Sequence, residues 1–96
     1  MEEGEAMEKL QIKRGMVEIV GDHKITILNL DGFCRDTLAI TPGEAIHITD
    51  KIGLGEEVLY SVKGGRLIQV GAERAVPELH DLYEQLPKEI ECVAAA

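Results

Sequence analysis

The side chains suited to metal binding are scattered along this 96-residue chain. The candidate ligands are His23, His47, His80, Cys34 and Cys92. No two of them stand at the CxxC or HxxxH spacing that directs two ligands toward one ion. We therefore expect no locally encoded zinc site and no required cofactor. Weak binding of a divalent ion such as Fe²⁺ stays open, either by distant ligands that the fold assembles or on a helix face carrying His80, Asp81 and Glu84.

Patterns of catalytic residues are missing from the sequence as well. Ser61 is the single serine, and its neighbours are strand-forming residues rather than a general base. Glu56 and Glu57 are adjacent, so in a strand they point to opposite faces and are poorly placed to share acid–base work. The pair Gly64-Gly65 has the features of a hairpin turn rather than of a phosphate-binding loop. These observations predict a protein that is not an enzyme.

The charge and the aromatic content argue against nucleic-acid binding. The formal net charge is −8, whereas nucleic-acid affinity comes mainly from Lys and Arg side chains that neutralise phosphates. Aromatic residues make up 3% of the chain, too few for a platform on which bases stack. We therefore expect no nucleic-acid partner.

The sequence predicts a cytoplasmic protein that is not embedded in a membrane. No apolar run approaches the roughly 20 residues that cross a bilayer. The acidic start Met1-Glu2-Glu3 differs from the basic and then apolar pattern of a signal peptide. Cys34 and Cys92 do not make a disulfide framework. Because cytosolic thiols are kept reduced, we expect both cysteines to be free.

Alternation of apolar and polar residues predicts five short strands. They lie at residues 16–20, 23–30, 44–50, 57–62 and 66–71, after an ordered start at 10–12 and a turn at 13–15. In the second strand, Ile25 and Ile27 face the core and Asn29 lies near its edge. Gly64-Gly65 predicts a type I′ hairpin between the last two strands, because glycine accepts positive φ.

Two helices are predicted beside these strands. Asp31 is a plausible N-cap for a short helix over residues 33–39, in which Cys34 and Leu38 are one turn apart. Pro42 ends this helix, because the residue before a proline avoids the α region. A later helix over residues 73–86 carries apolar residues at helical spacing, namely Ala75, Leu79, Leu82 and Leu86.

These elements predict a mainly β fold, a small closed or nearly closed barrel of about five strands with a short internal helix and a C-terminal helix. Closure removes exposed strand edges, which suits so short a chain. The predicted organisation is a flexible acidic N-terminus at residues 1–9, one domain at 10–83 and a tail at 84–96.

The turn residues and the hairpin together carry a family resemblance. The turn contributes Leu38, Ile40, Pro42 and Gly43, and a strand length later come Leu54, Gly55 and Glu56. The hairpin contributes apolar positions at Val58, Tyr60, Val62, Leu67, Ile68 and Val70, and Arg74 and Ala75 follow it. In this joint spacing, residues 10–79 resemble FeoA, a family of small accessory proteins of ferrous iron transport.

The resemblance implies an SH3-like barrel and a non-enzymatic role in ferrous iron uptake. The implied partner is the cytosolic GTPase domain of a ferrous iron permease of the FeoB type. The partner-binding residues would lie around the barrel rim, at Phe33, Leu38, Leu54, Gly55, Glu56, Gly64 and Gly65. The apolar side of the late helix could instead cover the open end of the barrel or engage a second copy of the chain.

Two other protein classes compete with this interpretation. Residues 34–44 are similar to a segment of the AbrB/MazE-type swapped-hairpin proteins, which would imply DNA binding or an antitoxin role. A freestanding SH3-like regulatory domain, of the kind that ends iron-dependent repressors, is the third class.

Overall fold

A ring of five strands forms the body of the protein in the computed structural model, which describes residues 9–93. The strands are β1 (Gln11–Val20), β2 (Lys24–Asn29), β3 (Cys34–Ala39), β4 (Glu57–Lys63) and β5 (Arg66–Gly71). The helices are α1 (Pro42–Lys51) and α2 (Pro77–Gln85), with a 3₁₀ turn at Glu73–Ala75. Within residues 9–93, neither helix has the length and apolar character needed to span a membrane.

The strand order around the ring is β1-β2-β3-β5-β4, and all neighbours except one are antiparallel. The exception is the β3–β5 seam, which is parallel and holds a single residue pair, Ala39 with Arg66. The predicted mainly β fold of about five strands is thus confirmed. The ring is well paired on four sides and weakly paired on the fifth.

Strand β1 is one continuous strand, so the turn predicted at residues 13–15 is wrong. Lys13 pairs with Tyr60 of β4, and Gly15 pairs with both Asn29 and Val58. A Cβ atom on Gly15 would lie 2.4 Å from the carbonyl oxygen of Leu28. Glycine is needed here because neighbouring strands approach the backbone too closely for a side chain, and not because the chain turns.

Residues 34–39 form strand β3 instead of the predicted short helix. The strand pairs with β2 along its whole length, from Lys24 with Ala39 to Asn29 with Cys34. Asp36 and Leu38 are both fully buried, which is the period-2 spacing of a strand face. Asp31 is accordingly no helix cap. The helical prediction failed because the local pattern does not show the pairing with β2 that makes these residues a strand.

Residues 42–51 form helix α1 instead of the predicted strand, so Pro42-Gly43 begins a helix rather than ending one. The Thr41 hydroxyl accepts a hydrogen bond from the Glu44 amide at 3.1 Å, and the Glu44 carboxylate accepts one from the Thr41 amide at 2.7 Å. This reciprocal pair is a capping box, and Pro42 is favoured in the first turn. Ala45 and Ile48 face the core one turn apart, while Ile46 is 64% exposed.

The hairpin and the late helix agree with the sequence more closely. Gly64 and Gly65 have φ of 59° and 74°, so the predicted positive-φ turn between β4 and β5 is confirmed. Helix α2 starts at Pro77 and buries Leu79 and Tyr83. The other three residues of its predicted apolar side, Ala75, Leu82 and Leu86, are exposed.

Candidate functional site

A groove runs between helix α1 and strand β5, which we call the α1–β5 groove. Its main part has a volume of about 470 Å³, with His47 and Ile48 on the helix side and Leu67, Ile68 and Val70 on the strand side. Strand β5 bonds to β4 along one edge, and its other edge meets β3 only at Arg66. Among the described residues, positions 67–71 of β5 therefore have no strand partner on the groove side.

The groove continues past His47 and Val70 into a second cavity of about 460 Å³. This part lies between the end of α1, the start of β4 and the 3₁₀ turn, with Ile52, Val58 and Val76 among its lining residues. The two parts together follow β5 along its length, about 20 Å for six residues. A segment in extended conformation fits a groove of this shape.

The groove is lined by both apolar and charged side chains. Ile68 is 48% exposed on the strand. At the N-terminus of α1, Glu44 accepts a hydrogen bond from Arg66 at 3.1 Å. Within residues 9–93, no three His, Cys, Asp or Glu side chains are grouped so that they could hold a metal ion. The groove thus combines an apolar lining with main-chain hydrogen-bonding groups.

A second notable region is a buried polar cluster inside the ring, made of Lys13, Asp36 and Tyr60. Lys13 Nζ lies 3.0 and 2.9 Å from the two carboxylate oxygens of Asp36, and the Tyr60 hydroxyl donates to Asp36 Oδ2 at 2.6 Å. All three residues have no exposed surface. Burial first, and then the hydrogen bond to Asp36, raise the pKa of the Tyr60 phenol far above its usual range.

Residues 87–93 run back across this cluster; we call them the C-terminal segment. The Glu91 carbonyl accepts from Lys13 Nζ at 2.9 Å, and the Val93 amide donates to Asp36 Oδ1 at 2.6 Å. The Val93 carbonyl accepts from the Thr37 amide at 2.9 Å, so the segment lies along the edge of β3. The segment thereby covers β3 beside the weakly paired β3–β5 seam.

A disulfide links Cys34 of β3 to Cys92 of the C-terminal segment, with the Cα atoms 6.0 Å apart. The expectation of two free thiols is therefore wrong. It assumed that Cys92 lay in a loose tail, whereas backbone hydrogen bonds on both sides of the cysteine hold it beside β3. The described part of the predicted 84–96 tail packs on the domain.

Tyr83 anchors helix α2 to the β2–β3 turn. Its hydroxyl donates to Asp31 Oδ2 at 2.8 Å, and its ring is 6% exposed. Burial, and then the hydrogen bond and charge of Asp31, raise the pKa of Tyr83 to about 12. The folded protein therefore holds this proton to a higher pH than the unfolded chain, in which the phenol titrates near pH 10.

Because the pKa of Tyr83 is raised in the folded protein, we expect the free energy of unfolding to fall at alkaline pH. The stabilisation is fully present below about pH 10 and is lost as the pH rises toward about 12, because the unfolded chain releases the proton first. The free energy of unfolding of Tyr83→Phe should fall less than that of the wild-type protein over this pH interval. The part of the fall that comes from Tyr60 remains in both proteins. Urea unfolding of both proteins between about pH 9 and 11 measures this. Equal slopes in the two proteins would contradict the assignment.

The structure does not bring the predicted partner-binding residues together. Leu38 is fully buried in the core, so it offers no surface. Phe33 and Gly65 lie at opposite ends of β3. Phe33 directly precedes the strand, is 84% exposed and has a φ of 54°. The Gly65 carbonyl accepts a hydrogen bond from the amide of Ala39, the last residue of the strand. Leu54 and Gly55 lie near β1, where the Gly55 amide donates to the Val17 carbonyl at 2.7 Å. Glu56 lines the second part of the groove.

Sequence reasoning missed both the groove and the polar cluster. The groove depends on α1, which was predicted as a strand. The capping box Thr41-Pro-Gly-Glu44 was a usable signal for that helix, since Ser or Thr followed three residues later by Glu marks a helix start. For the cluster the signal was weak, because a Lys in one strand and an Asp in another are usually solvent-facing.

The described residues define a small, mainly β domain with a five-stranded ring, two helices and a covered strand edge. No protein family, curated protein or solved structure matches this chain.

Proposed function

We propose that this chain is a non-enzymatic binding module that receives an extended segment of a protein partner in the α1–β5 groove. The observation that carries the proposal is the edge of β5 at residues 67–71, which has no strand partner within residues 9–93 and faces an apolar groove along α1. An unpaired strand edge offers amide and carbonyl groups that a partner strand can satisfy by β-augmentation.

The groove also indicates the composition of the partner segment. Apolar side chains at alternate positions of an added strand would reach Ile68 and Val70, since Ile48 and Leu67 are buried in the core. The net charge of −8 favours the approach of a segment that carries basic residues, because the field of the whole protein steers association. We therefore propose an extended partner segment in which apolar residues alternate with polar or basic ones.

The FeoA resemblance gives a narrower form of this proposal, an accessory role in ferrous iron uptake with a FeoB-type permease domain as the partner. The small, mainly β fold and the Gly64-Gly65 hairpin support it. Residues 34–51 count against it, because the family's helix–turn–strand order is a strand–turn–helix order here. A cytoplasmic location and an SH3-like classification belong to this narrower form. In a reducing compartment, the disulfide would be a reversible redox element.

The groove proposal predicts that Ile68→Lys weakens partner binding at least about tenfold without unfolding the domain, because a charged side chain on the edge hinders strand addition. The binding partner for this test is an extended peptide selected from a randomised display library on the full-length protein. Fluorescence anisotropy of that peptide measures the dissociation constant. The matched control is Ile46→Lys, which changes another exposed isoleucine, one that lines a cavity between α1 and the β1–β2 turn.

Selected peptides that bind equally well to the Ile68→Lys protein would overturn the groove proposal. The narrower form has its own test, retention of the full-length protein on the cytosolic domain of a FeoB-type permease in several nucleotide states. No retention in any state would reject the narrower form and leave the groove proposal standing. Salt-sensitive retention on duplex DNA would instead support the AbrB-like alternative.

A further inference from the structure

We propose that the C-terminal segment is a redox-operated latch: reduction of the Cys34–Cys92 disulfide releases residues 87–93 and uncovers the edge of β3 together with the Lys13–Asp36 pair. This inference does not depend on the proposed function, since it concerns the edge of β3 and not that of β5. Three features of the segment carry it: the nature of its contacts, the placement of its disulfide and its position on the sheet.

The contacts of the C-terminal segment are mainly polar, so water can replace them. Its backbone is held by three polar side chains of the ring, with Asn29 Nδ2 donating to the Glu89 carbonyl at 2.6 Å beside the Lys13 and Asp36 contacts. Val93 packs against the hydrophobic core, whereas Ile90 is 62% exposed. Opening the segment therefore uncovers few apolar atoms and lets water hydrate the polar groups beneath it.

The disulfide is placed so that its reduction frees the C-terminal segment from β3. It joins the first residue of β3 to the segment, and neither cysteine is fully buried. A thiolate of an external dithiol attacks one sulfur, the S–S bond breaks and the other cysteine leaves as a thiolate that takes a proton from water. The second thiol of the reductant resolves the mixed disulfide. The reductant becomes a disulfide and the protein a dithiol, a two-electron exchange.

The position of the segment determines which groups its release exposes. It occupies the β3 edge beside the seam, where β3 and β5 share one residue pair. Release leaves the Thr37 amide without its acceptor and removes the Glu91 carbonyl from Lys13. The reduced protein thus offers an open strand edge next to an ion pair, which the oxidised protein hides.

The experiment is hydrogen exchange measured by mass spectrometry on the full-length protein, with and without the reductant TCEP. We expect the amides of residues 87–93 and of Thr37 to exchange at least about tenfold faster after reduction, and to be less protected in the reduced protein than the amides of β4 and β5, which exchange only when the whole domain unfolds. Unchanged exchange in the segment would overturn the latch. Equal protection of the segment and of β4 and β5 in the reduced protein would also overturn it, because the segment would then open only when the whole domain unfolds.

Two variants test the latch in a second way. Cys34→Ser with Cys92→Ser should show fast exchange in the segment without TCEP. Gly32→Ala should loosen the segment with both cysteines present, because a Cβ atom there would lie 2.1 Å from the Ile90 carbonyl oxygen. Its disulfide should therefore be reduced faster than that of the control Gly43→Ala, where the nearest atom to a Cβ is 3.9 Å away. Equal reduction rates would count against the latch.

Discussion

Asp36→Ala is expected to lower the free energy of unfolding by about 3–5 kcal/mol, because it leaves the ammonium of Lys13 buried without its counter-charge. The Tyr60 hydroxyl and the Val93 amide lose an acceptor in the same step. A domain of this size has a total stability of roughly 5–15 kcal/mol, so the variant should lose a large part of its stability. Urea denaturation followed by circular dichroism measures the difference.

An exposed ion pair on the same strand provides the control. Arg35 bonds Glu18 at 2.6 Å and is 64% exposed at its side chain, so Arg35→Ala should cost at most about 1 kcal/mol. Replacing both buried charges, Lys13→Met with Asp36→Leu, should cost much less than Asp36→Ala, because no unpaired charge remains. If Asp36→Ala is no more destabilising than Arg35→Ala, the buried pair does not hold the ring together.

Loss of the Cys34–Cys92 disulfide is expected to lower the free energy of unfolding by about 2–4 kcal/mol. The crosslink spans 58 positions, and the chain-entropy argument for a loop of that size gives about 4 kcal/mol as the upper value. The measured loss should be smaller if the reduced native state gains freedom by opening the C-terminal segment. For a domain of this size the melting temperature should fall by on the order of 10–20 °C.

Two preparations separate the covalent link from the cysteine side chains. Wild-type protein in TCEP and the protein with both cysteines replaced by serine should have the same unfolding free energy within about 1 kcal/mol, because both lack only the link. A loss below about 1 kcal/mol in both would contradict the prediction and show that the disulfide contributes little to global stability.

The second half of the ring could be predicted from the sequence with good accuracy. Strands β4 and β5 have apolar residues at regular positions, and two consecutive glycines between them satisfy the positive φ of the turn. Both signals come from residues close together in the sequence, and the tertiary contacts of this region agree with them. Ile25 and Ile27 of β2 were also placed correctly on the core face, because a strand paired on both edges shows the period of two clearly.

Residues 33–51 could not be predicted in this way, because two local signals were ambiguous. Ile46 and Ile48 alternate like a strand face, yet only Ile48 is buried, and Ile46 is exposed on the helix. Asp36 looks polar and solvent-facing, yet in the fold it meets Lys13 from a strand 23 positions earlier. The C-terminal segment depends on the same long-range pairing. The groove and the position of the C-terminal segment were therefore beyond local reasoning, since both follow from contacts between distant residues.

The layout of β1 has a consequence for the order in which the protein folds. Its pairing with β2 is local, but Gln11 pairs with Val62, more than half the chain length away. Long-range strand pairing is slow because loop-closure entropy must be overcome before the contacts form, whereas a two-residue hairpin such as β4–β5 forms in microseconds. The C-terminal segment can find the β3 edge only after β1 and β3 have brought Lys13 to Asp36, and disulfide formation takes seconds to hours. We therefore expect each newly made chain to pair its strands before the Cys34–Cys92 link closes.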